Sequence, residues 1–189
     1  MNDFSTLALR REIIESATAR GFERMTPVQA QTLPAILTGD DVLGQAETGS
    51  GKTAAFGFGL LNKLAVERAE TQALVLCPTR ELADQVGQAL RQFAATIANV
   101  KLMTLCGGTP MRAQVNSLAQ PPHIVVGTPG RVLAHLRRES LHTHALQTLV
   151  LDEADRMLDM GFIHDIKRVL KYVPEKRQTL LFSATFSKD

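Results

Sequence analysis

The chain of 189 residues has no tryptophan, one tyrosine and two cysteines. With aromatics at 5%, a core must be built mainly from aliphatic side chains. Cys77 and Cys106 are too few for a disulfide framework, and each closes a short apolar run, the setting of a buried free thiol. Long apolar runs are missing too. No stretch approaches the roughly 20 residues that a membrane-spanning helix needs. The start carries Asp3 and Glu12 without a basic-then-apolar layout, so it does not read as a secretory signal. The expectation is a cytoplasmic chain with no membrane partner. An excess of charge is also lacking, with 21 basic and 19 acidic residues and a formal net charge of +2. Such a chain does not advertise nucleic-acid binding by bulk charge. Any contact of that kind must come from placed groups.

What is present is a regular alternation. Short apolar runs at Asp41–Ala46, Ala73–Cys77, Lys101–Cys106, His123–Gly127, Thr148–Asp152 and Thr179–Ser183 are strand candidates. Several are nearly continuous, such as Leu149-Val150-Leu151, and suit strands buried on both faces of a parallel sheet. Segments long enough for crossover helices lie between them. The order predicts an α/β domain with a mainly parallel sheet and helices on both faces. Thr26 before Pro27 reads as a helix N-cap, with Gly39 as its stop, and Ser5 as the cap of a first helix ending at Gly21. Residues 1–40 read as a helical extension of the same domain, which continues over 41–189.

The strongest local signal is Ala46-Glu47-Thr48-Gly49-Ser50-Gly51-Lys52-Thr53. It follows a strand candidate and opens a helix candidate, the context of a phosphate-binding P-loop. Gly49 and Gly51 let the backbone turn so that N–H groups face phosphate oxygens. The helix N-terminus adds partial positive charge. Lys52 can reach the β- and γ-phosphates, and the Thr53 hydroxyl can ligate Mg²⁺. Ala46 stands where the general pattern has glycine, and it is still small.

The acidic partner is Asp152-Glu153-Ala154-Asp155, after Leu149-Val150-Leu151. The strand delivers Asp152 at its C-terminal end, where α/β ligand sites lie. Asp152 can hold Mg²⁺ directly or through water, and Glu153 can act as general base for an attacking water. Three carboxylates within four positions would repel one another without a cation, which argues for a metal site. An acidic helix N-terminus is the bland alternative.

These residues spell the motifs of a known family. Asp152-Glu153-Ala154-Asp155 resembles the DEAD box, and Ala46 to Thr53 resembles motif I of the DEAD-box RNA helicases, where alanine is the usual first residue. Phe4, Gly21-Phe22 and Thr26-Pro27-Val28-Gln29 resemble the Q motif. Pro78-Thr79-Arg80-Glu81-Leu82 resembles motif Ia, Gly107-Gly108 the glycine doublet, Thr128-Pro129-Gly130-Arg131 motif Ib and Ser183-Ala184-Thr185 motif III. The resemblance runs from Phe4 to Thr185. The residues around the motifs resemble those of the bacterial DbpA-type members.

The resemblance implies a RecA-like P-loop NTPase domain, the first of two in a helicase core, with the second absent from these residues. It implies ATP and Mg²⁺ as ligands. Gln29 would read the adenine edge, Phe4 and Phe22 would support or stack on the base, and Thr26 belongs with them. Lys52, Asp152 and Glu153 would be catalytic. Pro78, Thr79, Arg80, Gly107, Gly108, Thr128, Pro129, Gly130 and Arg131 would grip the RNA backbone without reading bases. Ser183 and Thr185 would hydrogen-bond the DEAD segment, chiefly Asp155, and couple nucleotide state to closure against the second domain. The fragment is expected to be monomeric, to bind nucleotide and to hydrolyse it poorly. A catalytically silent nucleotide-binding module and a P-loop enzyme of another class are the alternatives. His142-Thr143-His144 reads as solvated histidines, Arg137-Arg138 and Lys167-Arg168 as solvated helix faces, and Met157, Leu158, Met160 and Phe162 as core.

Overall fold

The computed structural model describes residues 3–186. Six parallel strands form one sheet: β1 (Val42–Gln45), β2 (Ala73–Leu76), β3 (Leu102–Leu105), β4 (Ile124–Gly127), β5 (Thr148–Leu151) and β6 (Gln178–Ser183). Each falls within one of the apolar runs, or one residue beyond it. Their order is β1-β6-β5-β2-β4-β3. The apolar runs did not announce that order, because it is set by crossovers rather than by the strands themselves.

Helices cover both faces. α1 (Arg11–Ala19), α2 (Pro27–Thr38), α3 (Lys52–Lys63) and α4 (Arg80–Phe93) pack on one side. α5 (Met111–Leu118), α6 (Pro129–Arg137), α7 (Ala154–Asp159) and α8 (Ile163–Val169) pack on the other. The period-2 geometry of a strand explains the split. Val75, Val126 and Val150 join the first core, while Leu74, Leu76, Val125 and Leu149 join the second. Cys77 and Cys106 are free and buried. Burial raises both thiols, Cys106 to about 11, so both stay protonated.

The N-terminal extension is fastened to the sheet domain by polar contacts as well as packing. The Arg10 N–H donates to Asn62 Oδ1 at 2.7 Å, and the Arg10 guanidinium reaches Leu64 O at 2.8 Å. Buried Gln178, at the start of β6, donates to Ile36 O and Asp40 O at the end of α2 and accepts from Lys63 Nζ. Thr26 caps α2 through a full capping box with Gln29, and Gly39 closes it in the left-handed region. Ser5 does not cap the first helix. Asp3 caps a short 3₁₀ turn over Phe4–Thr6, and α1 begins only at Arg11, without a side-chain cap. The end at Gly21 (φ 75°) is where the sequence put it. Met157 is core and Phe162 packs against it, but Leu158 and Met160 are about half exposed, contrary to their expected burial: Leu158 lies about 100° round α7 from Met157, and Met160 follows the helix end at Asp159.

Two glycines inside α3 have a packing reason. A Cβ on Gly57 would stand 2.8 Å from Leu90 and 3.0 Å from Phe93 of α4, and one on Gly59 would strike Ile36 of α2. Gly59→Ala is expected to destabilise the domain by about 1–3 kcal/mol through overpacking. That exceeds the roughly 1 kcal/mol that alanine's helix preference returns. Urea unfolding midpoints check this; a variant at least as stable as the wild type would contradict the packing account.

Candidate functional site

The P-loop, the DEAD segment and the loops of the remaining strand-following motifs leave the C-terminal edge of the sheet, and the strand order divides them into two groups. The P-loop follows β1, the DEAD segment follows β5, and Ser183-Ala184-Thr185 ends β6. These three strands are adjacent. The loops carrying Thr79-Arg80, Gly107-Gly108 and Thr128–Arg131 follow β2, β3 and β4, the other half of the sheet.

In the first half, Gly49 and Gly51 have φ of 84° and 89°, a region that L side chains rarely adopt. The loop closes on itself through Ser50 Oγ donating to Glu47 O at 2.6 Å. Lys52 and Thr53 open α3. Lys52 is buried and its Nζ lies 3.1 Å from Asp152 Oδ1 and 3.9 Å from Glu153 Oε1. Asp152 is fully buried, and neither of its oxygens makes a well-formed hydrogen bond. Burial raises its carboxyl, opposed by the Lys52 ammonium. Such an under-satisfied buried carboxylate fits a metal ligand. A cavity of about 410 Å³ is lined by Thr48, Gly49, Gly51, Lys52, Thr53, Asp152 and Glu153, with Val86 and its α4 neighbours opposite. That volume suits a small-molecule ligand.

The three acidic side chains do not converge on one ion, which corrects the argument from mutual repulsion. Among the described residues no group of three or more His, Cys, Asp or Glu side chains gathers for a metal. Each carboxylate has its own partner instead. Glu153 has φ of 52°, a strained setting that turns it away from Asp152. It accepts from Thr48 Oγ1 at 3.2 Å and from Arg156 at 3.3 Å. Asp155 Oδ2 accepts from the N–H and the hydroxyl of Thr185 at 3.1 and 3.0 Å. Ser183 reaches the same segment differently: its oxygen accepts from the Asp155 N–H at 3.2 Å while its hydroxyl donates to Thr185 O.

The Q-motif residues lie deeper than a base-reading role suggests. Gln29 is fully buried. Its Oε1 accepts from the Thr26 N–H at 2.9 Å and its Nε2 donates to Gly51 O at 3.0 Å, so it clamps the P-loop. A Cβ on Gly51 would stand 2.6 Å from Gln29 Nε2, a second reason for glycine there. Phe4 is buried and meets Phe58 edge-on at 5.6 Å. Half-buried Phe22 packs edge-on against Phe58 and Phe93. A second cavity, lined by Thr26, Val28, Gln31, Ala46 and Glu47, flanks the loop on this side and touches neither ring.

In the other half, Arg80 opens α4, and a side chain on Gly108 (φ 88°) would run into its guanidinium. Arg131 Nη2 lies 4.0 Å from where a Gly107 side chain would start. Two arginines therefore straddle the exposed Gly107-Gly108 turn. The Thr79 hydroxyl accepts from the Leu82 N–H and so already caps α4. The Thr128 hydroxyl makes no such bond at α6. Pro78 and Pro129, expected among the contacts, are buried and lack an N–H, so they shape the loops rather than offer donors. His142 and His144 are exposed, as are Arg137-Arg138 and Lys167-Arg168.

Partial burial works to raise the Asp155 carboxyl, but hydrogen bonds from the Arg156 N–H and from the N–H and hydroxyl of Thr185 outweigh it and lower its pKa. A lowered folded-state value stabilises above the ordinary carboxylate range of about 4 and is lost as pH falls through the folded value. The stability gap between wild type and Asp155→Asn should therefore be full near neutrality and shrink below about pH 4. Urea unfolding as a function of pH checks it; a gap unchanged in acid would contradict the assignment.

A family profile described as DEAD/DEAH box helicase matches residues 26–189. The ATP-dependent RNA helicase DbpA of Escherichia coli K12 is 56% identical over 187 residues, covering 98% of this chain and 41% of its own length. The DEAD-box ATP-dependent RNA helicase CshA of Geobacillus kaustophilus is 48% identical over 185 residues, covering 98% and 39%. Among solved structures, a DEAD box protein from the hyperthermophile Methanococcus jannaschii superposes with a TM-score of 0.93 at 37% identity, over 100% of this chain and 51% of that one. Dbp5 of S. cerevisiae, bound to RNA and ADP BeF3, does so with a TM-score of 0.90 at 31% identity, over 99% and 47%. The chain thus spans about two fifths of the curated relatives it matches and about half of these solved chains. Its motifs, parallel sheet and relatives agree: the chain belongs to the DEAD/DEAH box helicase family, and its fold is that family's RecA-like domain.

Proposed function

We propose that this chain is the ATP- and RNA-binding half of a DEAD-box RNA helicase motor. The observation that carries the reading is the division of one sheet edge into a phosphate-gripping half after β1, β5 and β6 and a strand-gripping half after β2, β3 and β4. One rigid sheet then holds both ligands, and a change at one is felt at the other.

The P-loop N–H groups and the α3 N-terminus would bind the ATP phosphates, with Lys52 turning from Asp152 toward them. Asp152 and Thr53 would hold Mg²⁺, which when bound neutralises charge on the phosphate oxygens. Glu153 would take the proton of the attacking water. Gln29 keeps one amide hydrogen and one lone pair beyond its present bonds, the pair of functions an adenine edge needs. Using them requires the Thr26–Gln29 turn to open toward the neighbouring cavity. Arg80, Arg131, Gly107, Gly108, Thr128 and Gly130 would hold RNA phosphates through guanidinium, backbone N–H and hydroxyl groups. The Asp155–Thr185 bonds would pass the nucleotide state to the end of β6, and onward to a second RecA-like domain that completes unwinding.

An arginine brought to the transferring phosphate from another element contributes about 10³–10⁵ in rate in related enzymes. Arg156, the arginine held at the DEAD segment, is engaged by Glu153. These 189 residues alone should therefore bind nucleotide and turn it over slowly, with or without single-stranded RNA. Steady-state phosphate release measures this, and brisk RNA-stimulated turnover by the chain alone would overturn it. Titration with ATP and GTP tests the adenine reader. The wild type should prefer ATP, and Gln29→Ala should lose that preference and roughly 1 kcal/mol of stability with the cap. An undiminished ATP preference in the variant would remove Gln29 from the base site.

A further inference from the structure

Gln114 and His135 are buried polar residues that stand outside every motif used above. Gln114 is 3% exposed and His135 0%. Their hydrogen bonds make one connected network. Gln114 Nε2 donates to Cys106 O at 3.0 Å, one residue before the Gly107-Gly108 turn. Gln114 Oε1 faces His135 Nε2 at 2.8 Å and accepts from Arg131 Nη1 at 3.4 Å. His135 Nδ1 lies 2.8 Å from Ser140 Oγ. A backbone carbonyl can only accept, which fixes the amide nitrogen toward Cys106 and the oxygen toward Arg131 and His135. With its proton on Nε2 the neutral imidazole satisfies Gln114 Oε1, and the Ser140 hydroxyl lies within reach of both Nδ1 and, at 3.2 Å, the His135 carbonyl. Burial, and after it the charges of Arg131 and Arg138, lower the pKa of His135, in keeping with this neutral form.

The network joins three elements at the strand-gripping half. α5 supplies Gln114, α6 supplies Arg131 and His135, and the end of β3 supplies the Cys106 carbonyl and the turn after it. Arg131 has a long, mobile side chain whose ordering costs entropy unless something else holds it. One buried amide holds the guanidinium and the base of the turn together. The carbonyl of Cys106 and the guanidinium of Arg131 would each lose a fixed reference if that amide were removed.

We propose that Gln114, held in place by His135, is a positioning residue for RNA binding, presetting the Arg131 guanidinium and the Gly107-Gly108 turn to receive a phosphate of the RNA backbone. The inference rests on the RNA-binding reading of this half of the sheet. Gln114 acts through Arg131 and the turn and need not touch RNA itself.

The test uses this chain and three measurements: affinity for a single-stranded oligouridine at low salt, affinity for ATP with Mg²⁺, and melting temperature. Methionine matches the length of glutamine and makes none of its bonds. Gln114→Met should weaken RNA binding roughly tenfold, the scale of losing a hydrogen bond to a charged group. ATP affinity should be unchanged. Arg131→Met should weaken RNA binding as well, and the double variant should bind no worse than Arg131→Met alone, since coupled residues are non-additive. RNA affinity untouched by Gln114→Met overturns the inference, as does a parallel fall in RNA affinity, ATP affinity and melting temperature with an additive double variant. If methionine compromises folding, Gln114→Asn, which keeps an amide but is one methylene short, gives the same comparison. A wild-type chain that binds no RNA overturns the RNA reading itself, and this inference with it.

Discussion

The site depends on one buried ion pair. Lys52 Nζ and Asp152 Oδ1 lie 3.1 Å apart with side-chain exposures of 6% and 0%. Burying two such charges is costly unless each serves the other, and removing one leaves the other uncompensated. The pair ties the first turn of α3 to the end of β5, across the intervening strand β6. It also uses the two groups a phosphate and a cation would each need. Lys52 is free for phosphate only when Asp152 has another positive partner, and Asp152 is free for a cation only when Lys52 has another negative one. Binding of nucleotide with its metal would exchange both partners at once, leaving neither buried charge uncompensated.

Around that pair the chain is built to hold small distances. The strained Glu153 lets neighbouring carboxylates face different partners. The Thr26–Gln29 capping box does two jobs with one amide, finishing α2 and holding Gly51 of the P-loop. The left-handed glycines, the close approach of Gln29 and the position of Lys52 are therefore one constraint seen from three residues. The aromatic group of Phe4, Phe22, Phe58 and Phe93 backs this arrangement from within the core.

Much of this was legible in the sequence because it is local. Strands buried on both faces read as nearly continuous apolar runs, as β2, β4 and β5 do, whereas the edge strand β1 alternates and leaves Leu43 76% exposed. Thr26 before Pro27 was readable as a cap, although the same pairing at Thr128-Pro129 forms no side-chain cap bond. Ser5 was misleading because Asp3 and a 3₁₀ turn satisfied the chain before α1 began. What stayed hidden is what tertiary packing decides. Strand order cannot be read from strands that look alike. The three acidic residues of the DEAD segment look like one cluster, yet backbone conformation sends them to Lys52, Thr48 and Thr185. Gln29 carries its motif in plain view but not the contact to Gly51, 22 positions away. Gln114 and His135, 21 positions apart, carry no motif.

The exchange of partners at Lys52 and Asp152 is tested most directly by the Mg²⁺ dependence of ATP affinity. Calorimetric titration of the wild-type chain with ATP, in Mg²⁺ and in a chelator, should show binding strengthened by the metal about tenfold or more, equivalent to about 1.4 kcal/mol. In Asp152→Asn the same comparison should show little or no strengthening, because the residue that takes the cation as Lys52 turns to phosphate is gone. Metal-dependent strengthening that survives intact in Asp152→Asn would contradict the account.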